Sequence, residues 1–202
     1  MLKYVYVFFF LYLTLPYSLV GQNWKFVKEK DGVQLYSREE TGKGLTFFKG
    51  VAEIKESAEK VFALIEDVNH TAWWDSKVSH VKVHFYEKNK RSQYYLVYTM
   101  PWPFKNRDLS VDMTTSINQA TSEYKITALP LSGVFPEEKD LVRIKDYRQV
   151  WTVKPINNRT THIELEFYVN PVENLPNWLL NLVLIDSPIK SINTIRQLLE
   201  KK

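Results

Sequence analysis

The sequence predicts an α+β domain in which one curved antiparallel sheet grips a long C-terminal helix. Three observations predict it. Between residues 24 and 170, stretches of alternating apolar and polar residues follow one another, and only one segment, after Ser57, has helical spacing. The chain then closes on an amphipathic stretch, residues 176–202, where Trp178, Leu182, Ile185, Ile189, Ile192, Ile195 and Leu199 recur at steps of three or four. Sequential strands followed by a helix place the helices on one face of an antiparallel sheet. A helix of about twenty-five residues runs roughly 37 Å and needs a large apolar surface to lie on. A sheet curved enough to grip it has a concave face larger than one helix fills.

Taken in order, residues 24–30 form a short mixed segment, and Asp31-Gly32 marks a turn. Val33, Leu35 and Ser37 alternate with Gln34, Tyr36 and Arg38 as a strand. Residues 41–44 form a Gly-containing loop before a second strand over 45–54, and the two strands make a hairpin. Ser57 is the N-cap of a helix carrying Val61, Phe62, Leu64, Ile65 and Val68 and ending near Asn69, although Lys60 stands where a capping box would place Glu. Strands follow around Val81, Val83 and Phe85, then over 92–99, 107–117 and 124–129. A loop over 130–139 leads to a long strand, 141–153, and a last one, 160–170. In that last strand Thr161, Ile163, Leu165, Phe167 and Val169 alternate with His162, Glu164, Glu166 and Tyr168, so one face is packed and one is wet. Pro188 interrupts the terminal helix. The apolar stripe stays in register across it, which predicts one helix bent near Leu184 rather than two in tandem.

Composition bounds the function. The 202 residues suit a single domain, and 45% hydrophobic with 25% charged residues is ordinary for a globular protein. The net charge of +4 is spread without a basic run, which argues against nucleic acid as a partner. The absence of cysteine excludes disulfides, thiolate metal sites and cysteine nucleophiles. Six Trp, twelve Tyr and eleven Phe suit both a strand-rich core and an apolar pocket. Residues 1–21 have Lys3 as their sole charge, an apolar run, then Pro16, Ser18 and Gly21. This is the layout of a signal peptide cleaved before Gln22, which leaves residues 22–202 as the exported domain, periplasmic or secreted; an uncleaved anchor is the competing reading.

Catalytic signatures are scarce. Phosphate-binding glycine loops and a Gly-x-Ser-x-Gly elbow do not occur, and no carboxylate pair stands apart as an acid and base. His80 and His84 lie four apart, but within strand alternation, so they read as a solvated face and not as metal ligands. No cofactor, no metal and no catalytic residue is expected.

Several clusters stand out in order: Asp31-Gly32-Val33, Trp73-Trp74-Asp75, Pro101-Trp102-Pro103, Asn106-Arg107-Asp108, Val142-Arg143, Trp151, Pro176-Asn177-Trp178, Pro188 and Ile195-Arg196. In this order residues 23–200 resemble the START family, the lipid-transfer domains related to steroidogenic acute regulatory protein. The resemblance implies a helix-grip fold with an internal hydrophobic cavity, a hydrophobic small molecule or lipid held between the sheet and the C-terminal helix, and no catalysis. It implies that the 130–139 loop is a gate, with Phe135 as its apolar contact, and that Trp178, Leu182, Ile185 and Ile189 roof the tunnel. Sterol-binding members carry a buried acid–arginine pair at positions that fall here on Tyr94 and Met113, so that device is missing and an aromatic, thioether-containing wall replaces it. Arg143 shares parity with Tyr147 and Trp151 in an ambiguous alternation, and Arg143 and Tyr147 complete the set of ligand-binding residues. Transient membrane contact and a monomeric state go with this reading. Two others remain open: a polyketide aromatase/cyclase using Arg143, Tyr94 or Tyr147, and an envelope interaction module with a collapsed cavity.

Overall fold

The computed structural model describes residues 24–40, 45–170 and 175–200. Residues 1–21, read above as a signal peptide, residues 41–44, read as a loop, and residues 171–174 lie outside the described residues. The strands are β1 (Lys25–Lys30), β2 (Val33–Glu40), β3 (Leu45–Ile54), β4 (Val78–Glu87), β5 (Arg91–Tyr98), β6 (Arg107–Asn118), β7 (Glu123–Pro130), β8 (Val142–Arg143), β9 (Tyr147–Asn157) and β10 (Thr160–Val169). Between β3 and β4 lie helix α1 (Ala58–Glu66) and a 3-10 turn, Thr71–Trp73. The chain ends on α2 (Asn177–Leu180), a π turn (Asn181–Ile185) and α3 (Asp186–Glu200).

All ten strands join one sheet in the order β1-β2-β3-β10-β9-β7-β6-β5-β4, antiparallel except that β8 lies parallel to the start of β6. The alternation read in β10 is the one observed: Thr161, Ile163, Leu165 and Phe167 are buried and their neighbours are not. The sheet is long in sequence separation but locally simple, since β2–β3, β4–β5–β6–β7 and β9–β10 are antiparallel neighbours in chain order. Helix α1 covers the core end of β7, β9 and β10. Val61, Phe62 and Ile65 face inward, and Phe62 stacks on Tyr124 of β7 with ring centroids 4.4 Å apart.

Four expectations need correction. Residues 25–30 are a strand after all, pairing with β2 across the Asp31-Gly32 turn; exposed Phe26 and Val27 concealed the pattern, and a bulge between Phe26 and Lys28 breaks its period. The long strand expected over 141–153 is two, β8 and β9, because the chain must pass from a parallel place beside β6 to an antiparallel one beside β7 and β10. Asp146 anchors that turn, its carbonyl accepting from the Asn170 N–H at 2.8 Å and its carboxylate from the Tyr168 hydroxyl at 3.0 Å. Helix α1 starts at Ala58 without a side-chain cap from Ser57 and ends at Glu66, three residues before Asn69. The Trp73 indole caps the last turn instead, donating to the Leu64 carbonyl at 3.1 Å. In β4, Val83 and Phe85 are 39% and 42% exposed, because β4 is an edge strand with two register shifts.

The terminal segment is one helical path from Asn177 to Glu200, as the register of its stripe predicted, with a π turn at the place of the expected bend. Pro188 has no N–H to give the carbonyl of Leu184, so the α-helical ladder is already broken there, and the wider turn just before it absorbs the break. Beyond it Pro188, Ile189, Ile192 and Ile195 are buried against the sheet. Gly50 of β3 allows that approach: a Cβ there would sit 3.0 Å from Ile192 Cδ1 and 3.3 Å from Pro188 Cβ. Arg196 ties the helix to the β1–β2 turn, donating to the carbonyls of Asp31 at 2.7 Å and Gly32 at 3.3 Å, and to that of Glu53 at 3.3 Å.

Candidate functional site

The first part of the terminal segment does not seal the sheet. Beneath it lies a cavity of about 220 Å³, walled by Tyr94, Leu96 and Tyr98 of β5, Leu109 and Val111 of β6, Ala128 of β7, Tyr147 of β9 and Phe167 and Val169 of β10. Leu180, Val183, Leu184 and Ser187 roof it, and Leu175 and Met100 stand at its end. Ligand pockets usually span about 300–1,000 Å³, so this volume suits a slender apolar molecule.

The phenols of the wall are held protonated. Tyr98 donates to Asp75 Oδ2 at 3.3 Å, and Tyr147 donates to the Ser110 carbonyl at 2.8 Å, with the Leu129 carbonyl 3.2 Å away. Burial is the first cause that pushes all three pKa values, of Tyr94, Tyr98 and Tyr147, well above the usual phenol range. Arg107 and Arg148 are the cations of the lining. Arg107 is 4% exposed and donates to the Lys105 carbonyl.

A notch of about 20 Å³ continues inward from the cavity and shares Tyr94, Ala128 and Gln149 with it. Trp74, Met113, Ile126 and Trp151 close it off. Four aromatic rings meet around it: Trp73 lies 6.0 Å from Trp74 and 5.6 Å from Trp151, and Trp74 lies 5.5 Å from Tyr94.

The structure divides the residues expected at the site. Tyr94 and Tyr147 line the cavity, and Met113 lines the notch, buried at 5% exposure. Phe135 does not: its ring packs 5.5 Å from Tyr95, which alternates with Tyr94 and so faces the other side of the sheet, and 5.9 Å from His84. Arg143 lies on that same outer side. Its guanidinium pairs with Asp108 at 2.8 Å and donates to the carbonyls of Phe135 at 3.3 Å and Pro136 at 2.8 Å, so the expected gate loop is bolted to the sheet's outer face. Beside this pair, burial first and then the Asp108 charge push the Tyr95 phenol up to about 12.

The roof also departs from the expected stripe. Trp178 is 55% exposed, and Ile189 belongs to the solid core, as does half-buried Ile185 at its edge. The side chain of Leu182 lies outside the described residues. A π turn adds one residue to a turn and so rotates the segment before it by roughly 100° relative to an unbroken α-helix. That rotation turns Trp178 outward and brings Leu180, Val183 and Leu184 over the cavity.

Sequence reading missed Arg107, Gln149 and Trp74 as cavity or notch residues. Arg107 was singled out only as part of the Asn106-Arg107-Asp108 cluster. Its parity with Leu109, Val111 and Met113 was the available signal.

Next to Met100 the β5–β6 loop displays Trp102 to solvent. Trp102 is 92% exposed, and the Phe104 ring meets Trp178 edge-on at 6.3 Å. Met100, buried against the cavity, is held by the Asn106 side chain, which accepts from its N–H at 2.9 Å.

Comparison with known proteins places these features in context. A family model described as polyketide cyclase/dehydrase and lipid transport matches residues 48–185. An uncharacterised protein of Pseudomonas aeruginosa is 27% identical over 186 residues, spanning 92% of this chain and 91% of that one. The phosphatidylcholine transfer protein of Rattus norvegicus is 23% identical over 177 residues, 81% of this chain and 78% of the relative. The crystal structure of a STAR-related lipid transfer protein from Xanthomonas axonopodis superposes with a TM-score of 0.77 at 23% identity, covering 88% of this chain and 99% of that one. This likeness shows the START-type helix-grip fold.

Proposed function

The chain belongs to the family of polyketide cyclases/dehydrases and lipid-transport proteins, and from that premise we propose that it binds one lipid or similar hydrophobic molecule and carries it between membranes, as a monomer and without catalysis. The observation that carries this reading is the aliphatic and aromatic cavity of about 220 Å³ roofed by the irregular half of the terminal helix. Burying an acyl chain there gains roughly 25 cal/mol per Å² of apolar surface removed from water. The similarity to a phosphatidylcholine transfer protein and to a STAR-related lipid transfer protein supports it. The open cavity favours it over a collapsed interaction module. The aromatase/cyclase reading loses its candidate Arg143, which is committed to Asp108 on the far side of the sheet.

Membrane contact belongs to the same proposal. Trp102 and Trp178 are exposed on the segments that flank Met100 and Leu180 of the cavity, with half-buried Phe104 against Trp178, and exposed Trp side chains partition into the bilayer interface. Export goes with it too, supported by the layout of residues 1–21, and a mature N-terminus at Gln22 by sequencing would test it.

Solvent extraction of the purified protein followed by mass spectrometry is the direct test. A stoichiometric apolar molecule is expected in the native protein and absent from Val183→Arg, which puts a charge in the roof. Preparations that are always empty and take up no neutral apolar fluorophore overturn the reading. For the membrane contact, Trp102→Ser is expected to weaken association with phosphatidylglycerol–phosphatidylethanolamine vesicles while leaving thermal unfolding unchanged.

A further inference from the structure

The cavity is limited in size, and its walls on the sheet side are held from moving. Its volume is about 220 Å³. A water-sized group needs about 10–15 Å³ of such space, so roughly fifteen to twenty methylenes fill it. That is the content of one long hydrocarbon chain, whereas a membrane phospholipid carries two. Along the wall, the Tyr147 hydroxyl donates to the Ser110 carbonyl at 2.8 Å. The Tyr98 hydroxyl donates to Asp75 Oδ2 at 3.3 Å, and Asp75 Oδ1 accepts from the Lys77 N–H at 2.9 Å. At the inner end Trp73, bonded to the Leu64 carbonyl, meets Trp74 and Trp151 edge-on. Toward the solid part of α3 the Phe167 ring stacks on Phe48 at 5.9 Å, and beyond them Ile192 closes on Gly50.

Resting on the lipid-binding reading above, we propose that the site takes a lipid with a single hydrocarbon chain, a fatty acid or a lysophospholipid, and leaves a diacyl phospholipid in its bilayer. A second chain beside the first would have to displace a wall, breaking a hydrogen bond or opening a void in close-packed core. The roof does not supply the room instead. Leu180, Val183 and Leu184 ride on α2 and the π turn, whose far end is fixed where Pro188 is buried and Asp186 pairs with Lys28 at 2.8 Å. Lifting the roof about that end would admit water along with the second chain, and a chain left in water gains nothing. Each methylene that enters the closed cavity strengthens binding about fourfold, and one that stays outside adds nothing. Selection is therefore by the number of chains, and by chain length until the cavity is full.

The test is competitive displacement of the neutral fluorophore N-phenylnaphthylamine from the full chain by lysophosphatidylcholines of increasing acyl length and by dioctanoylphosphatidylcholine, all below their aggregation limits. Lengthening the single chain from octanoyl to hexadecanoyl is expected to lower the displacement midpoint by about a hundredfold or more. Adding the same number of carbons as a second octanoyl chain is expected to lower it by less than about tenfold, because that chain stays outside. Palmitate should displace as the hexadecanoyl lysophospholipid does, since the chain is what is held; if palmitate fails, the head group selects and the proposal falls. Ala128→Leu, which fills the inner end, should stop the gain at a shorter chain while leaving octanoyl displacement and thermal unfolding unchanged. Should that variant fail to fold, the comparison of one chain with two in the native protein carries the test. Equal gains from the longer chain and from the second chain would mean that two chains enter, which overturns this inference and leaves lipid binding standing. If no compound displaces the fluorophore, the lipid-binding reading itself falls, and this inference with it.

Discussion

The two halves of the terminal helix rest on the same sheet and do opposite things. From Pro188 onward the helix is solid core: Ile192 and Ile195 are fully buried, Gly50 admits Ile192 to 3.0 Å of its missing Cβ, and Arg196 ties down the β1–β2 turn. Before Pro188 the path is a single α turn and a π turn, and it stands over a cavity. Close approach needs a small residue beneath the helix. Gly50 supplies one on β3, whereas Tyr94, Tyr98 and Tyr147 on the cavity side hold the roof away. Stability and ligand binding are therefore separated along one helix, and substitutions in each half should report on only one of them.

One of the two largest expected effects is in the solid half. Ile192→Ala should cost about 2–5 kcal/mol of unfolding free energy, measured in urea, by leaving a cavity under a well-packed helix. An equal loss from Leu184→Ala would break the comparison. Removing one partner of the outer clamp, by Arg143→Met, should cost about 3–5 kcal/mol because it leaves the Asp108 carboxylate buried and uncompensated. That loss is expected without any change in ligand identity, since the clamp lies on the face away from the cavity. Arg196→Met should cost about 1–2 kcal/mol for its bonds to backbone carbonyls at a partly exposed site.

Alkaline pH tests the hollow half. Burial raises the pKa of Tyr94, Tyr98 and Tyr147, so the folded state favours the neutral phenol. Their contribution is fully present below the unfolded value of about 10 and is lost as pH rises through the folded values. Urea melts across that range should show falling stability, and Tyr94→Phe should flatten the fall. The smallest stability change belongs to Pro188→Ala. Restoring a donor for the Leu184 carbonyl should alter unfolding by about 1 kcal/mol or less at a site already fitted to proline. It should nonetheless reduce loading of N-phenylnaphthylamine, because a regular α turn would rotate the roof.

Much of the fold was legible because it is written in local periods. The alternation of Thr161, Ile163, Leu165 and Phe167 and the three-and-four spacing of Ile189, Ile192 and Ile195 follow directly from strand and helix geometry. Strand β1 was hidden because its exposed apolar residues and its bulge imitate a loop. Of the residues expected at the site, Tyr94 and Tyr147 lie on the cavity wall, whereas Phe135 and Arg143 lie across the sheet from it. The sequence does not show which side of the sheet a loop folds over, and a two-residue strand such as β8 has no period from which to infer it.

By itself the sequence determined the α+β class, the antiparallel neighbours and the continuity of the last helix, since each depends on residues close together in the chain. Only the tertiary structure decided which face of that helix roofs the cavity. A single π turn, placed where Pro188 interrupts the backbone ladder, rotates Trp178 outward and Val183 inward. It also decided which polar groups are left without partners. Trp73 and Trp74 are the same residue type side by side, and only the approach of the Leu64 carbonyl satisfies one and leaves the other buried without a partner.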